Sequence, residues 1–118
     1  MQEKCFYYRA QVVSVYDGDT CRADIDLGFG IWKKQEILRL NRINAPEIRG
    51  EDRANGLLSR DALRKLILDK QVIVQTIQDS KGKYGRYLAE IWLEDAAGQW
   101  LNVNDQLVAE GQAIYQEY

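Results

Sequence analysis

The chain has 118 residues, 46% hydrophobic and 29% charged, a balance that suits one globular core. It contains no histidine, which excludes imidazole general-base chemistry, Ser-His-Asp triads and His-ligated zinc. Its formal charge of −2 and pI of 5.2 argue, taken whole, against a polyanionic partner.

Residues 5–16 are rich in aromatic and β-branched side chains and read as a strand. Asp17-Gly18-Asp19 is a turn signal in which glycine supplies backbone freedom. Residues 20–27 return as a strand, with Cys21, Ala23, Ile25 and Leu27 alternating against Arg22, Asp24 and Asp26. Gly28-Phe29-Gly30 is a loop, and residues 31–43 give a third strand that alternates Ile37, Arg39 and Asn41 against Leu38, Leu40 and Arg42. Residues 51–69 read as a helix: Glu51 and Asp52 suit its N-terminus, Ala54, Leu58, Ala62 and Leu66 recur every fourth residue, and Leu57, Leu63 and Ile67 widen the stripe. Strands follow at 71–77 and 86–94, separated by a polar, turn-rich segment over 79–85. A short helix fits 103–110, capped by Asn102 or Asn104 at its start and Gly111 at its end. There is no linker, repeat or low-complexity segment, so residues 1–118 read as a single domain. Five short strands with a helix between the third and fourth, and a short C-terminal helix, predict a β-rich α+β fold: a closed Greek-key barrel of the OB type.

Cys5 and Cys21 are too few for a disulfide scaffold or a four-thiolate metal site, and the hairpin does not set them opposite each other, so two free thiols are expected. No apolar run is long enough to span a membrane, and no apolar signal core opens the chain. No membrane partner is expected, and the compartment stays open between the cytoplasm and a mature exported form.

The total charge hides an asymmetry. All 16 bases lie between Lys4 and Arg86, so residues 1–89 carry +4 and residues 90–118 carry −6. A basic body remains compatible with an anionic ligand, because local potential steers binding.

Three clusters could carry chemistry. Asp17-Gly18-Asp19-Thr20 places two carboxylates about a tight turn, where they could hold a hard cation, or it is a plain Asp-Gly hairpin. In Arg39-Leu40-Asn41-Arg42-Ile43-Asn44-Ala45-Pro46-Glu47, the two arginines have opposite parity, so one of them can aim into a given site. Pro46, the sole proline, stiffens the strand exit before Glu47, which reads equally as a general base or as a carboxylate favouring the helix dipole. Lys83-Tyr84-Gly85-Arg86 could clamp a phosphate and stack a base, or be an ordinary basic loop.

The three clusters in this order, with the ending Asn104-x2-Leu107-Val108-x2-Gly111-x-Ala113, resemble the staphylococcal nuclease family from about Val12 to Ala113. The resemblance implies a five-stranded OB barrel and a Ca²⁺-dependent endonuclease acting on single-stranded or frayed DNA and RNA, with 3′-phosphate products. By that resemblance Asp19, Asn44 and the Ala45 carbonyl correspond to Ca²⁺ ligands, with Asp17 and Thr20 beside them. Arg39 and Arg86 fall on the catalytic arginines, and Glu47 on the general base. Lys83 and Tyr84 fall near the nucleotide, as Tyr115 would. This chemistry needs no histidine: a carboxylate can activate water where arginines hold the phosphate.

Two positions depart from the family pattern. Asn44 stands where an aspartate is usual, which keeps an oxygen donor but removes a charge. Gly82 stands where an aspartate is common. A monomer is expected. The competing reading is a non-catalytic OB module that binds nucleic acid or protein through a weakened metal site.

Overall fold

The computed structural model describes residues 6–81 and 85–116, side chains of 78–81 excepted. Strand β1 (Phe6–Asp17) is long enough to pair with two neighbours: its first half runs antiparallel to β5 (Gln71–Lys81), and residues Arg9–Asp17 run antiparallel to β2 (Thr20–Asp26). Irregularities between Val12 and Ser14 and between Val15 and Asp17 let β1 coil. They also explain why its inward residues step from Ala10 and Val12 to Val15 rather than strictly by twos.

Strand β3 (Trp32–Leu40) pairs with β2, and β6 (Tyr87–Glu94) pairs with β5. A parallel contact, Leu38↔Tyr87 through Leu40↔Ala89, joins β3 to β6 and closes the barrel. Five principal strands and two helices thus form the expected closed OB-like barrel. Three short strands are added to it: β4 (Ile43–Asn44), β7 (Trp100–Asn102) and β8 (Ile114–Tyr115), with β4 pairing β8 and β7 pairing β6. Helices α1 (Arg53–Ile67) and α2 (Val103–Ala109) complete the core with Leu63, Ile67, Val103 and Leu107. Each such aliphatic side chain contributes about 1.5–3 kcal/mol on burial. Cys21 lies in this core, where burial pushes its thiol up to about 12, so it is inert at neutral pH. Cys5 lies outside the described residues.

Several details differ from the sequence reading. The third strand stops at Leu40 rather than 43, because Arg42 takes a left-handed conformation (φ 67°) and Asn41 N–H bonds to the Ala89 carbonyl, making a turn before β4. Leu27 is exposed, since β2 ends one residue before it. The fourth strand runs on to Lys81.

Helix α1 is shorter than 51–69, preceded by a single 3₁₀ turn over Gly50–Asp52, and its buried face is Gly56, Ser59, Leu63 and Ile67. Leu58 from the expected stripe is exposed. The reason is close approach. A Cβ on Gly56 would stand 2.0 Å from the Glu47 carbonyl oxygen, so the first turns of α1 bury small residues against the 45–48 segment. Gly18 serves the same purpose. Its φ is not positive, but a Cβ there would come within 2.7 Å of the Cβ atoms of both Ala45 and Ser59.

Helix α2 spans 103–109 with Asn102 as its cap, the side chain accepting from Asp105 N–H at 2.9 Å, and Gly111 (φ 75°) ends it in the left-handed conformation. Asn104, the other cap candidate, is fully buried. It donates to the carbonyls of Asn41 and Ala89 and accepts from Ile91 N–H, tying α2 to β6 and to the 41–42 turn.

Gly56→Ala should therefore destabilise the protein by about 1–3 kcal/mol or more through overpacking, read as a lowered denaturant midpoint. Gly28→Ala, where nothing stands within 4 Å of the added Cβ, should cost only the backbone strain of its positive φ.

Candidate active site

The β1–β2 hairpin is two residues long, Gly18-Asp19, between the paired Asp17 and Thr20. Across β2, Thr20 pairs with Arg39, so the hairpin tip and the end of β3 lie side by side. The absence of a side chain at Gly18 lets the hairpin pack against Ala45 and Ser59.

Asp19 is buried and fully engaged. Its Oδ1 accepts from Thr20 Oγ1 at 3.1 Å, and its Oδ2 accepts from Ala45 N–H at 2.9 Å and pairs with Arg39 Nη2 at 3.3 Å. The same Nη2 donates to Asn44 Oδ1 at 3.3 Å, while Nη1 donates to the carbonyls of Leu40 (2.7 Å) and Ile43 (3.0 Å). Arg39 therefore folds back over the 40–44 turn, and its guanidinium lies between two side-chain oxygens contributed by separate segments. Asp17 stands one layer out, its Oδ1 accepting from Asp19 N–H at 3.1 Å. Burial, reinforced by the charge of Asp19, pushes the Asp17 carboxyl up to about 6.

Glu47 comes two residues after Ala45 and is exposed. Pro46 restricts the residue before it, and the Glu47 carbonyl is packed beneath Gly56, so its backbone is fixed while its side chain faces solvent. Arg86 is half-buried immediately before β6. The β3–β6 register sets Arg39 opposite Leu88, so Arg86 lies two residues before the residue paired with Arg39. Lys83 and Tyr84 lie outside the described residues.

A second polar cluster escaped the sequence reading. Arg42, on the outer side of the turn, forks onto the buried Glu90, Nε to Oε2 at 2.9 Å and Nη2 to Oε1 at 2.7 Å, and its Nη1 reaches Asp105 at 3.0 Å. Asn41 and Asn102 also donate to Glu90. Tyr115 joins this cluster: its hydroxyl donates to Asp105 at 2.9 Å, and its ring lies 5.8 Å from the Arg42 guanidinium carbon. The hydrogen bond to Asp105 holds the phenol above its usual range. The strand position of Glu90, between inward Ala89 and Ile91, marks it as outward-facing. Its burial depends on the turn and α2 coming together, which local pattern does not reveal.

A hard cation could find oxygen donors here in Asp19 and Asn44, with Asp17 adjacent. Asp19 and Asn44 converge on one positive nitrogen, so the spot already favours positive charge, and the all-oxygen set fits Ca²⁺ or a similar ion. The set is lean in charge, and among the described residues no three His, Cys, Asp or Glu side chains cluster as metal ligands.

The model of the family described as staphylococcal nuclease homologue matches residues 37–118. The matched span includes Arg39, Asn44, Glu47 and Arg86 and begins after the hairpin that carries Asp17 and Asp19. No curated protein gives a significant match.

Protonated Asp17 is favoured by the fold between its ordinary value of 3.8 and about 6, so without added divalent cations its contribution to stability is greatest at the acidic side of that window and is lost as pH rises through 6. Asp17→Asn should remove this dependence and raise the pH 7 denaturation midpoint in chelator, with little change at pH 4.5.

Proposed function

The chain belongs to the staphylococcal nuclease family, and from that premise we propose that it is a metal-dependent phosphodiesterase that cleaves single-stranded or frayed DNA and RNA with little sequence preference. The observation that carries this reading is the convergence of Asp19, Arg39 and Asn44 at one point, with Glu47 two residues along the chain from Ala45, whose N–H binds Asp19.

In this reading Glu47 takes the proton from the attacking water. It suits the task because it is solvent-facing while its backbone is immobilised, which positions a base without burying its charge. Arg39 and Arg86 hold the scissile phosphate and balance the charge that gathers on its oxygens, a role for which a permanently charged, planar fork is well matched. Arg39 is held by the Leu40 and Ile43 carbonyls and by Asp19 and Asn44, so in this reading it exchanges some of these partners for phosphate oxygens. Asp19, Asn44 and the Ala45 carbonyl would hold Ca²⁺, which when bound supplies positive charge next to the phosphate. Lys83 and Tyr84 would contact the nucleotide. Tyr115, engaged with Asp105 and Arg42, would border the substrate path. Contacts to phosphate and one stacked base carry no sequence information, which accounts for the broad substrate class. Cleavage on this pattern leaves 3′-phosphate ends.

Purified protein incubated with single-stranded DNA or RNA should cleave in Ca²⁺ and stop in chelator. Binding without cleavage across the millimolar Ca²⁺ range would instead assign a non-catalytic OB module with a weakened metal site. Glu47→Gln should lower kcat by about 10²–10⁴-fold with KM nearly unchanged; a matching loss of substrate binding would remove Glu47 from the base role. Asn44→Asp should shift the Ca²⁺ activation curve to lower concentration, and an unmoved curve would show that residue 44 is not a ligand.

A further inference from the structure

Of the two arginines flanking Leu40 and Asn41, the candidate site uses Arg39 and leaves Arg42 without a role. Arg42 occupies a strained position. Its φ is 67°, in the left-handed region where glycine sits freely and a β-carbon is crowded. The turn alone would be easier to make with glycine at 42. The arginine side chain is what offsets the strain: it forks onto Glu90 through Nε (2.9 Å) and Nη2 (2.7 Å) and reaches Asp105 through Nη1 (3.0 Å).

Glu90 is the fixed end of this clamp. It is buried, and besides Arg42 it accepts from Nδ2 of Asn41 and Nδ2 of Asn102, both at 3.1 Å. All these partners are donors, so both side-chain oxygens must accept. A carboxylate meets that demand and an amide of the same shape does not. The main chain is tied down as well. Asn41 N–H goes to the Ala89 carbonyl, the Asn41 carbonyl takes Asn104 Nδ2, and the Arg42 carbonyl accepts from Gln116 N–H. Beyond the turn, β4 pairs with β8 through Ile43↔Tyr115 and Asn44↔Ile114.

The turn fixed in this way is the one that holds Arg39. Its Nη1 donates to the Leu40 and Ile43 carbonyls, and its Nη2 to Asn44 Oδ1. The first two acceptors stand on either side of residues 41 and 42, so their meeting at one nitrogen depends on the conformation of those two residues. With extended backbone at 42 the strand would run on, carrying the Ile43 carbonyl and the Asn44 amide away from the guanidinium. Asp19, on the neighbouring hairpin, would remain.

We infer that Arg42 is a positioning residue for Arg39: clamped by Glu90 and Asp105, it fixes the left-handed turn that brings the Ile43 carbonyl and the Asn44 side chain onto the Arg39 guanidinium. Its effect on cleavage rests on the nuclease reading, whereas its effect on the Arg39 side chain does not.

Two variants of the full chain test this. Arg42→Gly removes the clamp and relieves the backbone strain. Glu90→Gln keeps the side-chain shape and sets an amide donor against donors. Nitrogen-15 NMR of the arginine side chains, without substrate or metal, should show rotation about the Arg39 Nε–Cζ bond faster by at least about tenfold in both variants. In a native chain that cleaves single-stranded DNA, both should lower kcat by at least about tenfold with KM nearly unchanged. Val74→Ala, a core truncation on β5, serves as the control for lost stability. It should lower the thermal midpoint and leave both readouts native below that midpoint. Arg39 rotation unmoved in both variants would overturn the inference, as would kcat losses no larger than that of Val74→Ala. In a native chain that does not cleave, the nuclease reading falls and the NMR result alone decides.

Discussion

The buried pairing of Asp19 with Arg39 is the interaction around which the candidate site is arranged. Two opposite charges removed from water are tolerated only when their remaining hydrogen-bonding capacity is met, and loss of one partner typically costs about 3–5 kcal/mol. Here that capacity is met by backbone from three places: the Ala45 N–H on the carboxylate, and the Leu40 and Ile43 carbonyls on the guanidinium. The pair therefore dictates the path of residues 40–45 as much as that path holds the pair. It also constrains side chains that never touch it. Gly18 must lack a Cβ for the hairpin to reach Ala45, and Gly56 must lack one for the chain beyond Ala45 to pass over α1.

The Arg42–Glu90 cluster anchors the same turn from its other side. Arg42 adopts a left-handed backbone and sends its side chain away from Arg39, onto Glu90 and Asp105, while its carbonyl accepts from Gln116 N–H. Asn104 binds the Asn41 carbonyl from within the core. The two arginines thus clamp one short turn between opposite carboxylates, Asp19 on one side and Glu90 on the other. The ordering entropy of an irregular six-residue segment is offset by charge-assisted hydrogen bonds instead of by a regular ladder.

The barrel was legible because its strands alternate, its turns carry Gly and Asp, and α2 has a cap at each end. The faces were less so. Periodicity pointed to Leu63 and Ile67, which are buried, and to Ala62 and Leu66, which pack against the core, but also to Ala54 and Leu58, which are exposed; the first two turns of α1 instead bury Gly56 and Ser59, because what packs against them is main chain rather than side chains. Hydrophobicity cannot signal a contact whose requirement is smallness. Gly18 was read as a source of backbone freedom for the same reason, when its function is clearance. For the site, the family resemblance brought out Asp19, Arg39 and Asn44, and the structure gathers these three. It could not show that Arg39 is committed to Asp19, nor that Glu90 is buried, since both depend on which distant segments the barrel brings together.

That dependence bears on the charge balance. The span matched by the family begins at residue 37, yet the carboxylate paired with Arg39 lies on a hairpin before it, joined through the Thr20↔Arg39 rung of the β2–β3 ladder. The ladder, not sequence proximity, sets the local charge. Asp17, Asp19 and Glu47 belong to the candidate site, and without them residues 1–89 carry +7. In the acidic C-terminal stretch, Glu90 and Asp105 share Arg42, whose single positive charge offsets one of their two negative charges. The formal −2 of the whole chain therefore describes no surface a ligand would meet. In the proposed reading, a phosphate approaching Arg39 would encounter a field set by that guanidinium and by how fully Asp19 already balances it.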